Sequence, residues 1–373
     1  VGNGCCCSCC GAKPGPVLGD QSDGTKFAKQ GDRFIEYFVY GSEKPDARVL
    51  LQQNGSFGTG WMFSQLTDLH QTLNKLNIKG ISITRPGVGY SSMNPGCNLL
   101  YWAETDVGAV LEAEGVSRFF LEGVSQGSGE AIAIAYAHHE KLEKLHLIVP
   151  MLPWDFSRQN LPHAVRCPNE PGGYPFYADR LQSCSSFCYH CQWSCMCCCF
   201  KTCMSSGDPD PYSEKYYKGL AKIQAKDMMR NNLVHGGAHF LWAMGDEFGA
   251  GQWGFDLEKL KDRISGRDRV LISWAVDDRS SHPDWARYLI KLLDASYQVA
   301  AGCEADPPCK EKNGHSFWVW RQLKGLFAEQ LLSLAPGQEQ MVNSYWDAPR
   351  GSEEAVPVKV PEGLSLETQD LSK

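Results

Sequence analysis

Ser125 stands between two glycines in the run Gly123-Val124-Ser125-Gln126-Gly127. The residues before it, Phe119-Phe120-Leu121, are apolar, and those after it, Glu130 to Ala135, are helix-forming. Strand, sharp turn, helix is the setting in which a Gly-x-Ser-x-Gly run lifts a serine hydroxyl clear of a sheet. The flanking positions call for glycine because a Cβ there would collide with the adjoining strand or helix. The hydroxyl then sits at a helix N-terminus, where the dipole and the first N–H groups favour negative charge. Once a base takes its proton, a serine so placed can attack an acyl carbon. Without its flanks the pattern fits any Gly/Ser turn, so the surrounding elements must decide.

Those elements alternate. Phe34 to Tyr40 interleaves aromatic and polar residues and reads as a strand. Arg48 to Gln53 is a buried strand ending at Asn54-Gly55-Ser56-Phe57-Gly58-Thr59-Gly60. Trp61 to Leu76 carries Phe63, Leu66, Leu69, Leu73 and Leu76 at three- and four-residue steps and predicts a helix. Gly80 to Thr84 is a short strand closed by Arg85-Pro86-Gly87. A second amphipathic helix, Leu99 to Glu114, is stopped by Gly115. Leu145 to Pro150 and Val270 to Val276 are further strands, and Pro283 to Leu293 and Phe317 to Leu334 further helices. This alternation implies an α/β fold, a mostly parallel, doubly wound sheet covered on both faces. Active loops in such sheets lie at the carboxyl ends of the strands. The turn at Ser125, the Asn54-Gly55 loop and the Arg85-Pro86-Gly87 loop all follow strands, so they should meet at one rim.

The chain divides accordingly. Residues 1–30 read as a Cys-rich flexible tail, 31–150 as the first part of the core, and 151–245 as a Cys-rich cap insertion containing a helix from Tyr212 to Asn232. Residues 246–335 complete the core, and 336–373, rich in Pro, Glu, Gly and Ser, read as a disordered acidic tail. With 43% hydrophobic and 21% charged residues the composition is that of a globular protein. A net charge of -7 and the lack of a long basic run leave no footprint for nucleic acid. No apolar run reaches transmembrane length and no secretory leader is visible, so a cytoplasmic location is expected.

Of the 17 cysteines, five lie in Cys5, Cys6, Cys7, Cys9 and Cys10, and eight between Cys184 and Cys203. Such clustering argues against a disulfide framework, which spreads its cysteines through a small domain. Cys188-Tyr189-His190-Cys191 has zinc-ligand spacing, but Cys195, Cys197, Cys198 and Cys199 are too crowded for paired knuckles, and no metal or other cofactor is expected. S-acylation of Cys5, Cys6, Cys7, Cys9 and Cys10 is the alternative, and it would tie a soluble protein peripherally to a membrane.

Together, Asn54-Gly55, Arg85-Pro86-Gly87-Val88-Gly89, the turn at Ser125, Asp278 behind a strand and Gly314-His315 resemble the α/β-hydrolase superfamily, over about residues 30–335. The chain order Ser, Asp, His is the one this fold uses. Met244-Gly245-Asp246-Glu247-Phe248, Trp253-Gly254-Phe255-Asp256 and Asp278-Arg279 are similar to a poorly characterised plant-type branch of it. The resemblance implies Ser125 as nucleophile, His315 as its base and Asp278 as the acid that orients the imidazole, with Asp277 the competing choice. It implies an oxyanion hole from the backbone N–H groups of Gln126 and Ser56. Two positions depart from the family pattern: Asn54 replaces a usual His, and Thr84 a frequent Asp.

The reaction implied is hydrolysis of a carboxylic ester, with a small-molecule ester or acyl substrate; the aromatic residues of the insertion, Trp154, Phe156 and Trp193 among them, either cover that substrate or form the insertion's own core. An Asp at position 125 would instead have pointed to epoxide or haloalkane chemistry. Two rival readings stand beside this one. The first is a non-catalytic binding or scaffold protein that keeps the fold, motivated by Asn54 and Thr84. The second is a lyase or transferase on the same triad. The sequence leaves the oligomeric state open.

Overall fold

The computed structural model describes residues 24–55, 58–94, 97–153, 156–157, 160–161, 253–275, 281–300, 325–334 and 340–342, with the single residues Ile223, Asp227, Asp278 and Gln322. Its strands are β1 (Lys26–Gln30), β2 (Arg33–Gly41), β3 (Arg48–Gln53), β4 (Ile78–Ile83), β5 (Phe119–Val124), β6 (Leu142–Ile148), β7 (Val270–Ala275), β8 (Ser296–Ala300) and β9 (Gln340–Val342). They form one sheet in the order β1-β2-β4-β3-β5-β6-β7-β8-β9. The first two pairings are antiparallel and the rest parallel.

Side chains alternate across the sheet, and each face has its own core. Leu50, Phe120 and Ile148 point to a layer of helices α1 (Gly60–Ser64), α2 (Thr67–Lys75) and α7 (Leu326–Ser333). Their chain neighbours Leu51, Leu121 and Leu147 point to the opposite layer of α4 (Gly108–Ala113), α5 (Gly127–Ala137) and α6 (Pro283–Leu293). Helix α3 (Leu99–Trp102) leads into α4 on that second side. Burial on both faces explains why the central strands read as continuous apolar runs.

Four details differ from the sequence expectation. Residues 61–76 form two helices, not one. The chain breaks at Gln65, whose N–H turns back to the Met62 carbonyl at 3.1 Å, and Leu66 is extended and fully buried. The helix expected from Leu99 to Glu114 carries a π-turn at Ala103–Val107, a wide turn of the kind that inserts a residue. It presents the buried Asp106 to Arg33 of β2, with Nη1–Oδ2 at 2.8 Å. The stretch 1–30, read as a tail, ends in strand β1, and 336–373 contains strand β9. The region 296–300, to which no element was assigned, is β8, whose residues pair with β7 from Ser296↔Leu271 onward. The cap 151–245 and both cysteine clusters lie outside the described residues, apart from a few positions around 156 and Ile223 and Asp227. Among the described residues no helix is long and apolar enough to cross a membrane.

Candidate active site

Strand β5 ends at Val124 and α5 begins at Gly127, so the reversal is compressed into two residues. Ser125 bears the strain, with φ at 54°. A left-handed backbone costs an L-residue roughly 1–2 kcal/mol. Local bonds hold it there. The Ser125 N–H donates to the Ile148 carbonyl at 2.9 Å, and its own carbonyl accepts the Ser128 N–H at 3.0 Å and the Ser128 hydroxyl. The flanking glycines serve close approach. A Cβ on Gly123 would lie 2.5 Å from the Gly127 carbonyl oxygen, and one on Gly127 2.4 Å from that of Asn54. The second contact presses α5, the helix that follows Ser125, against the end of β3.

The loop after β3 is therefore beside the serine. A Cβ built on Gly55 would sit 3.3 Å from the Ser125 Cβ. The guanidinium of Arg85, at the end of β4, spans this loop from below. Its Nη2 donates to the Asn54 carbonyl at 2.9 Å and its Nη1 to the Gly58 carbonyl at 3.1 Å, while Nε pairs with Glu130 of α5. Arg85 and Glu130 are both buried. A buried ion pair has worth only when its remaining donors are satisfied, and here they bind the loop backbone. The corner Arg85-Pro86-Gly87 thus links α5 to the loop opposite Ser125.

Both departures from the family pattern are bonded into the same loop. The Asn54 side chain accepts the Gly55 N–H at 2.8 Å and donates to the Thr59 carbonyl at 3.3 Å. The Thr84 hydroxyl accepts the Gly60 N–H at 3.4 Å. The Thr59 N–H donates to the buried carboxylate of Asp227 at 2.8 Å. The described N–H groups of Gly55, Gly58, Thr59 and Gly60 thus all have acceptors within the protein.

Ser125 is 9% exposed, and its Oγ lies 3.8 Å from the Met151 sulfur. Met151 is brought there by a second strained residue, Val149 at φ 41°, whose N–H is held by the Ser273 carbonyl at 2.7 Å. A β-branched residue with positive φ is an outlier, and such outliers gather at functional sites. The Met151 N–H donates to the Ser128 hydroxyl at 2.9 Å, which closes the turn against α5.

Asp278 is buried just beyond β7, two strands from β5, and its Oδ1 accepts the Ser281 N–H at 2.8 Å. Gln126 is the N-cap residue of α5, so its N–H belongs to the helix end beside Ser125. His315, Ser56, Asp277 and Cys5, Cys6, Cys7, Cys9 and Cys10 lie outside the described residues, as does the Cys188–Cys191 spacing. Sequence reasoning missed the reach of Arg85 and the presence of Glu130 and Asp227. The Arg in Arg-Pro-Gly was visible, but its partner, five residues beyond Ser125, looks like an ordinary first-turn acid. Asp227 gives no sequence signal.

No protein-family model matches this chain, and no curated protein matches it in sequence. Solved structures do. An esterase from Exiguobacterium antarcticum superposes with a TM-score of 0.53 at 16% identity, covering 83% of this chain and 98% of its own. The enol-lactonase from Burkholderia xenovorans LB400 gives 0.51 at 16% identity, over 83% and 100%. Est816, described as an N-acyl homoserine lactone degrading enzyme, gives 0.51 at 19% identity, over 83% and 100%. The fold is that of the α/β-hydrolases. In an α/β-hydrolase fold the strained serine after β5 and the loop after β3 face each other across the rim, and the geometry of Ser125 and Gly55 has this form.

Proposed function

We propose that this chain is a serine hydrolase that cleaves carboxylic esters or lactones through an acyl-enzyme. The observation that carries the reading is Ser125 itself, a non-glycine residue held at φ 54° at a strand–helix corner, facing a loop anchored to its own helix. The solved structures of similar fold include esterases and lactonases, which supports the substrate class.

In this reading the Ser125 Oγ attacks the acyl carbon while His315 takes its proton, and Asp278 orients the imidazole and stabilises its charged form. The tetrahedral oxyanion is received by the N–H groups of Gln126 and Ser56. The described N–H groups of Gly55, Gly58, Thr59 and Gly60 are bonded within the protein, and Ser56 is the donor that the resemblance to the family implies. The intermediate collapses, the C–O bond to the alcohol breaks, and His315 returns the proton to the departing oxygen. Water then repeats the sequence and frees the acid. The proposal extends to a cytoplasmic location with peripheral membrane attachment through acylated Cys5, Cys6, Cys7, Cys9 and Cys10, which would suit lipid esters.

A fluorophosphonate probe and a p-nitrophenyl ester test the core of the reading. Wild type should be labelled and active. Ser125→Ala and His315→Ala should lose turnover by 10³-fold or more on the scale seen for triad residues, with the fold intact. A folded wild type that takes no label and hydrolyses no ester would overturn it.

A further inference from the structure

One peptide group in the loop opposite Ser125 is held at both ends. The carbonyl of Gly58 and the N–H of Thr59 belong to the same planar unit. The carbonyl accepts from the cationic Arg85 at 3.1 Å, and the N–H donates to the anionic Asp227 at 2.8 Å. A peptide dipole set between a cation at its oxygen and an anion at its N–H has one favoured orientation, and charge-assisted bonds are about twice as strong as neutral ones. Asp227 takes a second bond, from the Thr59 hydroxyl, which itself accepts the Trp61 N–H at 3.1 Å as the cap of α1. The carboxylate therefore fixes the loop's last peptide and the first turn of the helix after it.

The two grips come from different parts of the chain. Arg85 belongs to the sheet and is tied to the nucleophile's helix through Glu130. Asp227 belongs to the long connection between β6 and β7, 168 residues from Thr59. Ile223 packs on the core layer of α1 and α2 while Asp227 meets Thr59, so the connection is docked there by an apolar contact and a polar one.

We propose that Asp227 is a positioning residue, through which the β6–β7 connection holds the loop facing Ser125 in its working conformation. The inference rests on the reading of Ser125 as nucleophile. Loss of the carboxylate frees one end of the Gly58–Thr59 peptide, and the loop then samples orientations that do not support oxyanion binding. Such a loss reduces stabilisation of the transition state more than ground-state binding of a small ester.

The test uses Asp227→Ala, Asp227→Asn, Thr59→Ala and the double variant Asp227→Ala/Thr59→Ala of the full chain. With p-nitrophenyl acetate, Asp227→Ala should lower kcat tenfold or more with KM within twofold. Asp227→Asn, which keeps one acceptor oxygen, should recover most of that loss. The double variant should lose less than the two single effects combined, since the bond from the Thr59 hydroxyl to the carboxylate is common to both. Hydrogen exchange gives a readout free of activity: the amide of Thr59 should exchange at least tenfold faster in Asp227→Ala and by a clearly smaller factor in Asp227→Asn, with the amides of β5 unchanged. Unchanged exchange at Thr59, an unchanged kcat, or a rise in KM alone would overturn the proposal. A wild type that hydrolyses no ester would count against the nucleophile reading, while exchange at Thr59 would still decide whether Asp227 holds the loop.

Discussion

Glu122 gives the most quantitative test of the sheet that carries Ser125. It lies three residues before Ser125, on the face covered by α1, α2 and α7, and is 1% exposed. A row of polar side chains crosses that face beneath the helices. The Tyr40 hydroxyl donates to the Gln52 Oε1 at 2.8 Å, and the Gln52 Nε2 donates to the Glu122 Oε2 at 2.8 Å. His146 is the register neighbour of Glu122 on β6, and its Nε2 lies 2.8 Å from the Ser273 hydroxyl. Burial raises the Glu122 carboxyl from 4.5 to about 7, and the bond from Gln52 offsets only part of that. The folded state therefore holds a proton that the unfolded chain gives up at lower pH, and stability must fall as pH rises between those two values. At 1.36 kcal/mol per pH unit, the loss is about 3 kcal/mol, complete a little above pH 7 and absent below about pH 4. Glu122→Gln keeps the size of the side chain and removes the titration. Urea unfolding at a series of pH values should show wild type losing about 3 kcal/mol across that window relative to the variant. Two parallel curves would refute the reasoning, because they would mean that the carboxyl ionises equally easily folded and unfolded.

Two further outcomes concern the strained corner and its support. Arg85→Met strands the buried Glu130 and should cost about 3–5 kcal/mol of stability. The double variant Arg85→Met/Glu130→Met should regain much of that in denaturant titration, yet remain slow on esters, because the Asn54 and Gly58 carbonyls stay without their donor. At the corner itself, Ser125→Gly relieves the φ of 54° whereas Ser125→Ala does not, so the glycine variant should be the more stable of the two by about 1 kcal/mol. Equal melting temperatures would show that the corner is not strained.

Most of the architecture was legible because strands buried on both faces and amphipathic helices each leave a periodic trace. The two ends of the sheet were less so. β1, Lys-Phe-Ala-Lys-Gln, follows a Gly- and Cys-rich run and has one fully buried apolar residue, Ala28, so it looks like the end of a tail. β8 and β9 depend on pairing with their neighbours more than on their own pattern. The break at Gln65 was hidden because the apolar spacing of Phe63, Leu66 and Leu69 continues across it. The spacing records which side chains face the core, and both helices turn the same way. At the site, the serine was readable from its motif. The carbonyls that Arg85 binds were not, because backbone acceptors leave no mark on the residue types around them.

Gly123 and Gly127 announce the corner in the sequence, yet the positive φ falls between them, on Ser125. Their task is contact: one lets α5 lie on β5, and the other lets it touch the end of β3. A motif of this kind encodes how closely two elements approach, and the approach then dictates which backbone groups can meet. Arg85 and Glu130 convert that proximity into a fixed arrangement, since the pair has one cationic fork and must satisfy it on the carbonyls within reach. Ester cleavage at Ser125 would demand such rigidity, because oxyanion donors stabilise developing charge only when they need not reorient to meet it. Beside Ser125, the positions most sensitive to substitution should then be those that hold the loop still: Arg85, Glu130, Asn54 and Asp227.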